Sequence, residues 1–159
     1  MQHLPKHLRP RWRYIAIRIE AWPKTTIEKT DFQRNLWYAS QNLLGDPGSA
    51  DARLEVVTFT YENGLGEAII KVRHHHTQEA RAAISCLSNI DGKPVGILVK
   101  GISGTVRACE EKYMDGPQIQ YNEEQVAFDN HTRRAVVYDD RVDIDIDGDF
   151  TGATKIDVE

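Results

Sequence analysis

Cysteine and long apolar runs are the scarcest features of this sequence. Cys86 and Cys109 are its only cysteines, and neither has a second Cys or a His at ligand spacing, so nothing points to a disulfide scaffold or a metal site built on them. Two reduced core thiols on helices are expected. No run approaches the roughly 18 apolar residues that span a bilayer, and the opening MQHLPKHLRPRWRY lacks the apolar stretch of a secretory signal. A cytoplasmic protein without membrane contact is the expectation. Absent as well is a carboxylate pair, a metal cluster or an activated nucleophile at convincing spacing, so no catalytic residue is assigned.

What is present is a chain of 159 residues, 40% hydrophobic, long enough for one globular domain with a core and an extension. Its net charge of −4 is unevenly spread: 15 Lys and Arg face 10 Asp and Glu up to Cys109, and 5 face 14 from Glu110 onward. Residues 1–113 therefore read as a core domain with a basic N-terminal arm, and 114–159 as an acidic C-terminal extension that solvates or binds a partner.

Arg13 to Glu20 alternates, with Ile15, Ile17 and Ile19 on one face, the period of a half-buried strand. Phe32, Leu36, Ala39 and Leu43 recur at helical spacing, and Gly45 with Pro47 supplies a stop. Leu54 to Tyr61 and Glu67 to Arg73 alternate around Asn63-Gly64, a strong hairpin signal. Thr77 to Leu87 sets Ala80, Ala83, Ile84 and Leu87 on one helical face, Gly92 and Pro94 break it, and Val95 to Ile102 alternates again. The order β-α-β-β-α-β is the α+β, ferredoxin-like or RRM-like split βαβ sandwich, here followed by a short helix and the acidic extension. Two helices cover one face of such a sheet, and the other face is expected to stay open.

An RNA-recognition domain of this plan stacks bases on aromatics of its third strand, and GEAIIKVR has none. Lys71 and Arg73, opposite Ile70 and Val72, suit phosphates better. The stretch GISGTVRACEEKY raises a second phosphate question. Residues 101–105, Gly-Ile-Ser-Gly-Thr, match neither a Walker loop nor a hydrolase elbow. The Gly-x-x-Gly spacing matches a KH loop, but here it follows a strand. Two readings stay open: an ordinary helix N-cap, or a turn whose N–H groups, with Ser103, Gly104, Thr105 and Arg107, hold a phosphate.

Two motifs imitate metal sites. Asp143, Asp145, Asp147 and Gly148 begin like a calcium loop, but Thr154 stands where a Glu is needed, and Val142, Ile144 and Ile146 alternating with aspartates fit an acidic-faced strand, paired with residues 134–138. His74-His75-His76 reads as a strand-end turn, since consecutive side chains diverge.

LPKHLRPRWRYIAIRIE, LWYASQNLLGDPGSADA, GEAIIKVRHHHTQEARAAISCL and GKPVGILVKGISGTVRACEEKY, in that order, resemble the archaeal ribonuclease P protein component 2, a Pop-type subunit family, and most of all its versions from halophilic archaea. The resemblance covers residues 4–113. It implies a protein subunit of the ribonucleoprotein that removes the 5′ leader of precursor tRNA, with magnesium serving an RNA that carries the chemistry. It also implies protein component 3, of TIM-barrel-like fold, as a partner, and self-association in a 2:2 assembly. Carried over by position, the RNA-binding candidates are Lys6, Arg9, Arg11 and Arg13 of the arm, Lys71 and Arg73, and Ser103, Gly104, Thr105 and Arg107. Glu110 and Glu111 depart from the basic final helix of that family.

Trp37 and Leu44 lie well around the first helix from its core stripe, the composition of an interface anchor for component 3. The alternative function is a ferredoxin-like module that binds a small regulatory metabolite, which would have no need of the basic arm.

Overall fold

The computed structural model describes residues 3–21, 25–114, 122–137, 142–154 and 156–158. The chain divides into two compact units, 1–117 and 118–159.

In the first unit, a short 3-10 turn (Lys6–Leu8) precedes β1 (Trp12–Ala21), α1 (Lys29–Ala52), β2 (Glu55–Glu62), β3 (Leu65–Arg73), α2 (Thr77–Ser85), β4 (Asn89–Ile90), β5 (Lys93–Ser103) and α3 (Val106–Tyr113). The strands form one antiparallel sheet in the order β2-β3-β1-β5-β4. With the two-residue β4 set aside, this is the ferredoxin-like order, and β1 lies in the middle because it alone pairs with both β3 and β5. Residues Asn63 and Gly64 are both left-handed, with φ of 53° and 83°, which matches the turn to the twist of the flanking strands.

Alternation decides which side chains enter the core. Ile15, Ile17 and Ile19 of β1 and Ala68, Ile70 and Val72 of β3 meet Phe32 and Leu36 of α1 and Ala80, Ala83 and Ile84 of α2. Each large member removed from water contributes on the order of 1.5–3 kcal/mol.

Two expectations are corrected. Gly45, at φ 72°, breaks α1 but does not end it, and the helix resumes through Pro47 to Ala52. Proline is tolerated there because the first turn of a helical segment has no internal partner for its N–H. The buried stripe consequently continues through Ser40 and Ser49, whose hydroxyls bond each other at 3.1 Å, and Leu43 is exposed. The second correction concerns the sheet face away from α1 and α2, which is not left wholly open. Helix α3 lies on it, with Cys109 buried against Ala16 and Ile69 and with Val106, Tyr14 and Tyr113 around them, whereas Cys86, expected in the core as well, is exposed at the end of α2. A Cβ on Gly101 would overlap the Tyr113 ring. The first glycine of the 101–105 turn thus makes room for an aromatic ring.

The second unit is a four-stranded antiparallel meander, β6 (Asn122–Phe128), β7 (His131–Val137), β8 (Val142–Ile146) and β9 (Asp149–Ala153). Val126, Ala135, Val142 and Ile144 form its core. The expected pairing of the aspartate-alternating strand is present as β7 with β8, from Ala135↔Ile144 to Val137↔Val142; residue 138 lies outside the described residues. The calcium-like segment is a hairpin turning at Asp147-Gly148, where Gly148 N–H donates to Asp145 Oδ1 at 2.9 Å. Among the described residues no helix is long and apolar enough to cross a membrane.

Candidate nucleic-acid interface

Strand register gathers side chains that are up to 90 residues apart. Tyr14 pairs with Lys71 on one side and Ser103 on the other, and Trp12 pairs with Arg73. The first residues of β1 and the last of β3 and β5 therefore share one corner of the sheet. Arg13 lies there near the 103–105 turn and, with Arg11, near His74, while Lys71 and Arg73 lie on the other face with Trp12. Lys71 and Arg73 stand opposite Ile70 and Val72, as alternation requires.

The corner is tied across β1 and β3. His74 N–H donates to the Arg11 carbonyl at 2.9 Å, and the Arg13 guanidinium donates to His74 Nε2 at 3.3 Å. Burial first, then His75, Arg13 and Arg11, hold His74 below the ordinary imidazole range, which keeps the ring neutral at pH 7 and able to accept that bond. His75 takes φ 79°, so the two rings do not diverge but stack at 4.1 Å. His76 turns away and meets Glu79 at 2.9 Å. The histidine run is a strand-end turn that braces Arg13.

Thr105 is the N-cap of α3, its hydroxyl accepting from Ala108 N–H at 3.1 Å. That occupies the side chain and leaves the N–H groups of the first turn directed outward. Gly104 is exposed, and a Cβ there would meet only the Arg13 guanidinium, at 3.9 Å. Arg107 lies one turn along, exposed and paired with Glu111 at 2.8 Å. Lys6 and Arg9 are exposed on the arm, and Arg9 Nε donates to the Leu4 carbonyl at 2.8 Å.

Two participants escaped sequence reasoning. The Trp12 ring has Lys71 Nζ at 4.2 Å from its centroid and the Arg53 and Arg73 guanidinium carbons each at 5.9 Å. Trp12 sits between Arg11 and Arg13 in sequence, but that it faces Lys71 follows only from strand pairing. Arg53 arrives from the far end of α1, a position that nothing local marks.

The interface pair on α1 separates. Trp37 is 51% exposed and stacks on Tyr38, with ring centroids 6.1 Å apart. It borders a shallow cavity of about 510 Å³ with Lys29, Gln33, Arg34 and Leu54. Leu44 packs against the core instead.

The model of the Rpp14/Pop5 family matches residues 13–114, the stretch that contains the five-stranded sheet, except Trp12 at the start of β1, and α3. The chain belongs to the Rpp14/Pop5 family. Its relatives include "Ribonuclease P protein component 2" of Halorubrum lacusprofundi, 52% identical over 100% of both chains, and that of Natronomonas pharaonis, 51% identical over 99% of this chain and 98% of the relative. The protein of the same name from Thermococcus kodakarensis is 31% identical over 71% of this chain and 91% of its own. This member of the family is a ribonuclease P protein subunit, part of an RNA-containing complex. The haloarchaeal relatives continue through the second unit, whereas the family model stops at residue 114.

Proposed function

We propose that the chain assists 5′-leader removal from precursor tRNA by gripping the ribonuclease P RNA, and that it performs no bond cleavage itself. The observation that supports this reading is one end of the sheet lined with cations on both faces, Arg13 beside Gly104 on one and Lys71 and Arg73 beside Trp12 on the other, next to the arm carrying Lys6, Arg9 and Arg11. Those groups offer cations, outward N–H donors and a bare backbone at Gly104, which together suit phosphate oxygens. Cleavage chemistry and the magnesium it uses are assigned to the RNA, working in the cytoplasm. The metabolite-sensor alternative is disfavoured by the basic arm, for which such a module has no use, and one glycine of its turn, Gly101, instead makes room for the Tyr113 ring.

Protein component 3 is the proposed partner of the exposed Trp37 surface, in an assembly with two copies of each chain. Trp37→Ala is expected to leave the circular dichroism melt nearly unchanged and to weaken the complex with component 3 at least about tenfold. A melt lowered by many degrees with partner affinity intact would return Trp37 to the fold's own packing.

The combined change of Arg9, Arg11 and Arg13 to Ala should weaken filter binding of the cognate RNA without unfolding the domain. Added to that RNA with component 3, the unaltered chain should raise the rate of precursor tRNA cleavage. Magnesium-dependent cleavage by the RNA-free chain would overturn the reading.

A further inference from the structure

We propose that Trp12 is the organising residue of a phosphodiester site in which its indole holds Arg53, Lys71 and Arg73 ready for the sugar-phosphate backbone of RNA. The proposal rests on the RNA-binding reading above and assigns its affinity to a residue that carries no charge.

Significant cation–π contacts occur about once per 70–80 residues, so three cations on one ring form a built cluster. They come from two elements. Lys71 and Arg73 are two apart on β3 and share a face, while Arg53 caps α1 in a left-handed conformation, φ 51° and ψ 64°. A position that favours glycine or asparagine is here filled by an arginine whose side chain reaches the Trp12 ring.

The cluster is under-neutralised. Glu55 approaches Lys71 at 3.7 Å, but its side chain is 60% exposed, and among the described residues no carboxylate pairs with Arg53 or Arg73. The Arg73 Nε is buried with no hydrogen-bond partner. Three like charges around one ring repel, and the ring quadrupole offsets that only in part. A polyanion supplies what is missing. The three cations come from β3 and from the end of α1, a spread that suits an extended backbone better than one small anion.

Lys71 already covers the indole, so the ring is a scaffold for cations and not a platform for a base. Its benefit is order imposed before binding, since long cationic side chains otherwise lose rotamer freedom when they close on a ligand. Such contacts act at short range and survive ionic strengths at which exposed charges are screened. This separates two roles. The number of neutralised phosphates sets the slope of log Kd against log salt, whereas pre-ordering sets the affinity at every salt concentration.

The test measures fluorescence anisotropy of labelled cognate ribonuclease P RNA with the full-length chain across a KCl series. Trp12→Ala should raise Kd about tenfold throughout with the slope unchanged, and Trp12→Phe should recover most of that loss. Arg53→Ala, Lys71→Ala and Arg73→Ala should each lower the slope by about 0.9. Circular dichroism monitors folding, and the exposed Arg53 and conservative Trp12→Phe changes carry the test if Trp12→Ala does not fold. Silent Trp12 and Arg53 variants beside weakened Arg9 and Arg11 variants would overturn this site and leave the RNA-binding reading intact. A slope reduced by Trp12→Ala would overturn the organising role. Failure of the unaltered chain to bind would overturn the broader reading.

Discussion

The two units of this chain alternate apolar and polar residues along their strands in the same way, yet they end with different cores and opposite charge. Residues 1–117 hold 16 Lys and Arg against 13 Asp and Glu, and residues 118–159 hold 4 against 11. The first unit clamps its sheet between α1 and α2 on one face and α3 on the other, burying Phe32, Leu36 and three isoleucines of β1. The second closes on Val126, Ala135, Val142 and Ile144. Below about 40–60 residues an apolar core is marginal. The comparison shows alternation making a sheet in both, and only helices turning one into a large core.

The largest test of that contrast sets a core deletion in each unit side by side. Phe32→Ala, at a fully buried site in contact with Phe59, should cost about 3–5 kcal/mol and lower the thermal midpoint of the first unit. Ile144→Ala should instead abolish hydrogen-exchange protection in residues 122–154 and leave the first unit's amides unchanged. If both changes moved one common transition, the two units would be a single cooperative body.

Next in size is the contact that brings α3 onto the sheet. Gly101→Ala sets a methyl group against the Tyr113 ring and should destabilise the first unit by about 1–3 kcal/mol. Combining it with Tyr113→Ala should recover part of that loss, a non-additivity expected of groups in contact. Full additivity would mean that the ring and the glycine are independent.

A smaller effect distinguishes the units by salt. Asp143 and Asp145 share one face of β8, and Asp147 and Asp149 follow in its hairpin. The Debye length grows from about 3 Å at 1 M to about 10 Å at 0.1 M, so mutual repulsion should open the second unit as KCl is withdrawn. Amide exchange should rise there first, and Asp143→Asn with Asp145→Asn should suppress the rise. Equal loosening of both units would remove charge as the difference between them.

The smallest effect is confined to the basic corner. His74 titrates below its unfolded range, so the unfolded chain binds more protons than the folded one as pH falls through about 6.5. Stability is then complete above that pH and declines below it. His74→Gln should flatten this part of the pH profile of the first unit, while the second unit's exchange stays as it was. An unaltered profile would place the titration elsewhere.

Local periodicity made β1, β2, β3, α2 and β5 legible, because each needs only neighbours along the chain to decide its face. Gly45 shows the limit of that information. A left-handed glycine before a proline looks like a stop, and whether the helix resumes depends on the packing that Ala52 finds in the core and the bond that Ser49 makes to Ser40. Residues 101–105 show another limit. Their glycines suggested a phosphate loop, while the reason for Gly101 is a ring twelve residues away, brought back by α3.

The basic arm, Lys71 and Arg73 were legible as cations, and their meeting point was not. Strand order decides that Tyr14 stands between Lys71 and Ser103, and strand order is a matter of long-range hydrogen bonding that no local pattern encodes. By itself the sequence determined the β-α-β-β-α-β order of the first unit, its apolar faces, the charge asymmetry and the family, since these follow from spacing and composition, but not β4 or the four-stranded meander of the second unit. Only the tertiary structure decided that α3 covers part of the second face, that Arg53 and Trp12 come together, and that His74 braces Arg13. Each of those depends on side chains distant in sequence being held within bonding or packing distance by a shared sheet.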